Sequence, residues 1–465
     1  MNITPSLYSW IFYFTITLTL LVFLRRKTID PLLTGFIASL IYFLPGLVGY
    51  ISFSYGVGAG SYQAALAPGA LVCMSIVVST LAITTIAYDR LLPIRGTTLR
   101  ISTPYLTQAL AIMMLVGFIA SLLTIGKGYL CTEKSALLAR VNPWYYLATY
   151  SAPLCFVSAL STKSRAIAAL SLLLIFADLF VGFRGSASVT LIALCLMQGS
   201  WFYQGWKKRI IYLSYILFCG VSLFLVKQLA WNIKYTVSID CPAISAPSNE
   251  SGVLPKTNTP SIEKSLPPLQ VRGEQVTYTA NLLTHKETYT AAFSNSEPMV
   301  VQATLNETIN RDFKLPAENL VNQLLSGVPG GKSLFGLDVS DTKSFNDFFQ
   351  KEFFPKATFG MANNPWAQAF SVGRFSMVFI FSVAYAFGLS FLTWLFSNLS
   401  GPLRACIAVI VGWWGLYLHR NDVLIEIGIL KMVIYIIAVS WLLGLAINTI
   451  GKSVLPRIRF QGYNS

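Results

Sequence analysis

The chain is dominated by a succession of apolar stretches, and no other feature narrows its fold so far. A helix needs roughly 20 predominantly apolar residues to cross the hydrocarbon core of a bilayer. Stretches of that kind lie near residues 6–24, 31–53, 69–88, 105–125, 144–160, 166–183, 186–203, 209–229, 367–397, 402–418 and 423–447. Only helices or closed barrels satisfy backbone hydrogen bonds inside lipid. The expected fold class is therefore an all-α polytopic membrane protein with about eleven transmembrane helices. Charged residues are 11% of the chain, against roughly a quarter in a soluble domain. The apolar runs recur throughout, so the first is not read as a cleaved signal peptide ahead of a soluble chain.

The net charge of +15 invites a nucleic-acid reading. The placement of the charge argues against it, because Lys and Arg cluster at the ends of apolar runs, as the positive-inside rule requires. Arg25, Arg26 and Lys27 put the end of the first span in the cytoplasm. Alternation then brings Arg90, Arg95 and Arg100, Lys163 and Arg165, Lys207 to Arg209, Arg404, and the tail residues Lys452, Arg457 and Arg459 to the same side. Three regions follow: an N-terminal transmembrane bundle over 1–229, a large outer loop over 230–366, and C-terminal helices with a cytoplasmic tail over 367–465.

The outer loop opens with a Ser-, Pro- and Thr-rich linker over 247–268 and then turns partly helical. Val301, Leu305 and Ile309 share one helical face, and Leu320, Val321, Leu324 and Leu325 share another after Pro316. Phe345, Phe348, Phe349, Phe353 and Phe354 form an aromatic face expected on the membrane surface or on a lid. Glu297 at a helix start reads either as an N-terminal acid favoured by the helix dipole or as an acid that binds a substrate.

Five of the seven cysteines fall within apolar spans and read as small core residues. Cys131 and Cys241 both fall outside, where a periplasm would permit a disulfide between them. With only His285 and His419 in the chain and no Cys-x-x-Cys pair, a dedicated metal site is disfavoured.

Four arginines break the inside bias close to the membrane boundary, apart from Arg272 and Arg311 within the outer loop. Arg140 ends an outer loop, Arg184 occupies the turn Gly182-Phe-Arg-Gly-Ser186, Arg374 lies early in the ninth span, and Arg420 sits in the turn Leu418-His-Arg-Asn-Asp422. A cation beside hydrocarbon is costly and marks a paired or functional site. Each alone fits snorkelling or a local ion pair, for instance Arg420 or Lys431 with Glu426. As a set they offer planar forks for the oxygens of a pyrophosphate whose lipid tail stays in the bilayer.

Three segments resemble bacterial oligosaccharide repeat-unit polymerases. Gly182-Phe-Arg-Gly-Ser186 is similar to their Gly-x-Arg turn. Gly360-Met-Ala-Asn-Asn-Pro-Trp-Ala-Gln-Ala-Phe370, with Asn364 and Trp366, is similar to their Asn-x-Trp entry to a late helix. Tyr417-Leu-His-Arg-Asn-Asp422 resembles their outer His/Arg turn before the last helix. The order of segments and the large outer loop agree with the Wzy-type O-antigen polymerases. The resemblance implies a metal-independent, cofactor-free membrane glycosyltransferase of the GT-C-like class in the bacterial inner membrane, with its active site facing the periplasm. Its substrates would be two undecaprenyl-pyrophosphate-linked glycans, and a polysaccharide chain-length regulator would be a partner alongside membrane lipids. Arg140, Arg184, Arg374 and Arg420 would hold the pyrophosphate, and Glu297, Asn364 and Trp366 the acceptor. His419, Glu426 and Asp422 stand as candidates for the base that activates the attacking hydroxyl. An O-antigen ligase and a transporter or flippase of lipid-linked glycans are the rival readings. Charges gathered at one face, with no internal repeat, favour an enzyme over a transporter.

Overall fold

The structure, a computed structural model, describes residues 6–26, 28–55, 60–91, 99, 101–131, 140–200, 204–212, 214, 296–328, 343–357 and 361–454. Most of the expected 209–229 span, the linker over 247–268, His285, Cys219, Cys241 and the tail beyond 454 lie outside the described residues. The described chain is nearly all helical. Among these residues six helices are long and apolar enough to cross a membrane, by length and composition.

Helix α1 (Leu7–Arg25) starts where the Ser6 hydroxyl accepts from the Ser9 amide, and ends at the basic pair Arg25 and Arg26. Arg26 pairs with Asp30 at 2.8 Å and with Asp89 at 3.0 Å. Asp30 also caps α2 (Pro31–Tyr42) by accepting from the Leu33 amide. One cluster, with the Arg26 and Asp30 side chains buried and Asp89 at its exposed edge, thus ties the end of α1, the start of α2 and the end of α4 (Pro68–Leu91) together. Burial pushes the Asp30 carboxyl above its ordinary range, against the opposing pull of Arg26.

The apolar run over 31–53 is not one spanning helix, as its composition suggested. Helix α2 stops at Tyr42, a short α3 (Leu44–Val48) carries Pro45 in its first turn, and Gly49 closes it at φ 82°. Proline cannot continue the ladder of a preceding helix, and the left-handed residue turns the chain out of it. The chain then forms a hairpin, β1 (Tyr50–Ser54) antiparallel to β2 (Ser61–Ala65), with Tyr50 opposite Ala65 and Ser54 opposite Ser61. Ile51 and Phe53 alternate inward and are fully buried, so the period of burial is that of a strand.

Helices α5 (Leu106–Ile125), α6 (Pro143–Ser161), α7 (Arg165–Val181) and α8 (Gly185–Met197) follow. Farther along the chain come α9 (Glu297–Asn310), α10 (Ala317–Gly327) and α11 (Phe345–Phe353). The long α12 (Pro365–Asn398), then α13 (Gly401–Val411) and α14 (Val423–Val454), complete the chain. Two cores result. One gathers α1, α2, α4, the hairpin, α9, α11 and α12; the other gathers α5, α6, α8, α13 and α14.

Two expectations for residues 297–354 change. Val300 to Thr308 of α9 are buried without interruption, so the helix is enclosed on all sides instead of presenting one face. Its Asn306 accepts from the Ala67 amide at 2.7 Å and so caps the start of α4. The aromatic face of α11 is not spread on a membrane surface. Phe345, Phe349 and Phe353 pack edge-on against Phe313, and Phe354 against Phe53 of the hairpin. Neighbouring aromatic rings provide the burial that lipid was expected to supply.

The helices give the bundle two distinct ends. At one end lie the Arg26–Asp89 pair, a 2.7 Å bond from the Leu99 amide to the Asn398 carbonyl, and the 2.7 Å contact of Thr107 with Ser158. Arg90, Arg165 and Arg404 belong to that end by their helix positions. The turn joining α7 to α8, the turn joining α13 to α14, and the start of α9 meet at the other.

Candidate functional site

At this second end α7 finishes on Gly182 at φ 107°, a left-handed cap that suits glycine, and α8 begins at Gly185. A Cβ at Gly185 would stand 3.0 Å from the Trp413 ring, so the turn packs closely against the facing element. Arg184 projects from this turn and is exposed. The facing element continues α13 as a π turn (Gly412–Leu416) and a 3-10 turn (Tyr417–Arg420) before α14.

Between the two turns and α6 opens a cavity of about 390 Å³. Arg184, Arg420 and Glu297 all line it, although they come from distant parts of the chain. Tyr145, Tyr146 and Tyr150 of α6 and Trp413 and Tyr417 of the facing element supply aromatic walls. Arg420 Nη1 is 2.7 Å from Glu297 Oε1, and its guanidinium lies over the Tyr417 ring at 5.3 Å. The Tyr42 hydroxyl donates to the same Glu297 oxygen at 3.3 Å. Asp178, an acid within an apolar run, also reaches the cavity. It accepts from the hydroxyls of Tyr145, of Thr149 at 3.4 Å and of Ser186 at 2.5 Å, which together satisfy a buried carboxylate.

The three candidate bases are not in the cavity wall. His419 is fully buried. Its Nδ1 accepts from the Trp366 indole N–H at 3.1 Å. Its Nε2 lies 3.2 Å from the Ser39 hydroxyl and 3.3 Å from that of Tyr385. Those hydroxyls donate to the carbonyls of Gly35 and Gly415, so each offers Nε2 an acceptor oxygen. The network therefore assigns the proton to Nε2 and leaves the ring no free basic nitrogen. His419 is a structural pin, and the expectation that it takes a substrate proton is set aside on this geometry. Tyr42, stacked on it at 5.5 Å, links the pin to Glu297.

Asp422 is a double cap. Its two oxygens accept from the Ile425 amide at 2.9 Å and from the Phe345 amide at 2.8 Å, holding the starts of α14 and α11. Burial raises its pKa, while these two backbone donors act in the opposite direction. Glu426 lies beneath Asn421, whose side-chain amide donates to it at 2.8 Å. It pairs with neither expected cation, since Arg420 turns to Glu297 and the Lys431 ammonium donates to the Ser326 carbonyl at 2.9 Å.

The remaining expected residues fall elsewhere. Arg374 pairs with Asp312 and lies over the Phe370 ring at 5.0 Å, away from the cavity lining. Arg140 lies beside Gly128, with Nη1 3.6 Å from Cys131 Sγ; its neighbour Val141 lines the cavity but Arg140 does not. Cys131 is disulfide-bonded, and the pairing expected with Cys241 lies outside the described residues. Asn364 caps α12 by accepting from the Trp366 and Ala367 amides, and donates to the Val301 carbonyl at 2.9 Å. Trp366 is buried against His419. Asn364 and Trp366 thus build the scaffold behind the site and do not face an acceptor in it. No group of three or more His, Cys, Asp or Glu side chains suited to a metal occurs among the described residues.

Sequence reasoning passed over the aromatic walls. The signal was present in the Tyr145-Tyr146 pair with Tyr150 about one turn on, and in Trp413 beside Trp414. Comparison with protein-family models, curated proteins and solved structures finds no match.

Proposed function

We propose that this protein is a metal-independent glycosyltransferase of the bacterial inner membrane that polymerises undecaprenyl-pyrophosphate-linked repeat units into O-antigen or a related polysaccharide. In this reading about eleven helices cross the membrane, the region over 230–366 is periplasmic, and the cavity opens to the periplasmic face. The observation that carries the reading is the convergence of Arg184 and Arg420, from two separate turns, on one aromatic-walled cavity.

Arginine forks suit the oxygens of a pyrophosphate, and preorganised donors stabilise charge developing on a leaving group. Tyrosine and tryptophan faces combine an apolar body with a polar tip, the surface that sugar rings need. Glu297 is a cavity carboxylate that is not buried in the core, and among the described residues Arg420 and Tyr42 hold it. As Arg420 engages the pyrophosphate, Glu297 becomes available to the acceptor hydroxyl. That hydroxyl oxygen bonds to the anomeric carbon of the donor, and its proton passes to Glu297. The bond from the anomeric carbon to the pyrophosphate oxygen breaks, and the electron pair leaves with undecaprenyl pyrophosphate.

The test is a glycan ladder from cells lacking the gene. A polymerase predicts lipid A core capped by single repeat units. Loss of all capping, with long glycan held on the carrier, would replace this reading with a ligase, and an unchanged ladder would remove both.

A further inference from the structure

A second opening lies in the other half of the bundle, between α12, α13 and α14. It holds about 530 Å³, and every side chain around it is apolar or nearly so, among them Phe391, Leu395, Leu403, Ile407, Ile434 and Trp441. Along α14 it runs from Leu430 to Trp441, about 16 Å at the helical rise of 1.5 Å per residue. That is roughly half the 30 Å thickness of a bilayer's hydrocarbon core, the depth of one leaflet. A space so lined offers water no partners. At one end the Trp441 indole donates to the Ser102 carbonyl at 3.1 Å, an arrangement typical of tryptophan at the membrane–water boundary.

Arg404 stands at that same end, next in sequence to Leu403 of the groove wall. Its guanidinium lies over the Phe396 ring at 4.3 Å, beside the wall residue Leu395. Its Nε is buried without a hydrogen-bond partner, and no carboxylate pairs with it among the described residues. Arg26, at the same end of the bundle, has two. A guanidinium set at the edge of hydrocarbon calls for an anion, and none of the described residues supplies one here. Among the described residues no acid lines the groove to receive the ammonium of a zwitterionic headgroup.

We propose that this groove binds one anionic glycerophospholipid, with an acyl chain lying between α12, α13 and α14 and the headgroup phosphate on Arg404. The proposal rests on the membrane-spanning character of these helices and not on the glycosyltransferase reading. The lipid fills space that the three helices leave open and neutralises a charge that they leave unpaired, so it acts as part of the bundle.

The experiment uses the full chain extracted in mild detergent, titrated with dioleoyl phosphatidylglycerol or dioleoyl phosphatidylcholine and followed by native mass spectrometry and thermal unfolding. The expected result is retention of one phosphatidylglycerol per chain, a raised unfolding temperature with that lipid, and little effect of phosphatidylcholine. Arg404→Gln should weaken phosphatidylglycerol by about tenfold or more, the scale of one charged hydrogen bond. Ala438→Phe tests the acyl slot separately. Ala438 lines the groove and is exposed, so the ring enters open space, leaves the fold intact and displaces the chain. Equal retention of the two lipids by the wild-type chain, or unchanged phosphatidylglycerol binding in both variants, would overturn the proposal.

Discussion

The two ends of the bundle use arginine in opposite ways. At the end of the α7–α8 turn, Arg184 and Arg420 face an open, aromatic-walled cavity, and the acid that pairs with Arg420 comes from a distant helix and is itself partly exposed. At the other end Arg26 is enclosed between Asp30 and Asp89, with Arg26 and Asp30 both nearly inaccessible. An enclosed pair fixes helices, because separating it strands a buried charge. An open pair can exchange partners when an anion arrives. The difference lies in the walls around the charge and not in the residue, which is why arginine positions alone do not locate a site.

The contrast can be broken most forcefully at the enclosed end. Arg26→Ala leaves the buried Asp30 without its cationic partner and should cost about 3–5 kcal/mol. A large fall in unfolding temperature in detergent is expected; an unchanged one would show that the cluster is not what holds α1, α2 and α4 together. At the open end, Arg184→Ala and Arg420→Ala should each lower polymer formation by about a hundredfold or more at unchanged protein abundance. Lysine at either position should restore only part of it, since a point charge lacks the planar fork. The ladder per molecule of protein in the membrane reads this directly, and full-length polymer in both alanine variants would remove the pyrophosphate role.

Smaller effects sharpen the division between scaffold and site. His419→Ala removes the partner of the Trp366 indole and should destabilise the chain by about 1–3 kcal/mol, with reduced abundance. Activity per folded molecule should fall far less than in the arginine variants. The reverse pattern, normal abundance with no activity, would return His419 to the role of base. Smallest of all, Val321→Ser on the exposed face of α10 should shift stability by within about 0.5 kcal/mol. A marked loss of membrane retention would instead show that this face meets lipid.

Much of the helical framework could be read in the sequence because apolar length and flanking charge are strong physical signals. The clearest departure came at 31–53, where length outvoted Pro45 and Gly49; those two residues hold the reason the run folds as helix, turn and strand. Arg184 and Arg420 were legible as cations in short turns directly beside apolar runs. Arg374 carried a similar signal but meets Asp312, an acid that sequence distance hides. His419 looked reactive because histidine is rare in this chain, yet only the tertiary structure shows its ring nitrogens occupied by Trp366, Ser39 and Tyr385. The tyrosine walls went unread because aromatic residues at helical spacing in an apolar chain look like core.

The most direct test of the central claim is a double-mutant cycle on binding of a polyprenyl pyrophosphate to the purified full chain. If Arg184 and Arg420 grip one pyrophosphate in one cavity, each alanine variant weakens binding and the double variant departs clearly from the sum of the two, beyond the roughly 0.5 kcal/mol expected of independent sites. Strictly additive losses, or wild-type affinity in either single variant, would contradict a shared site.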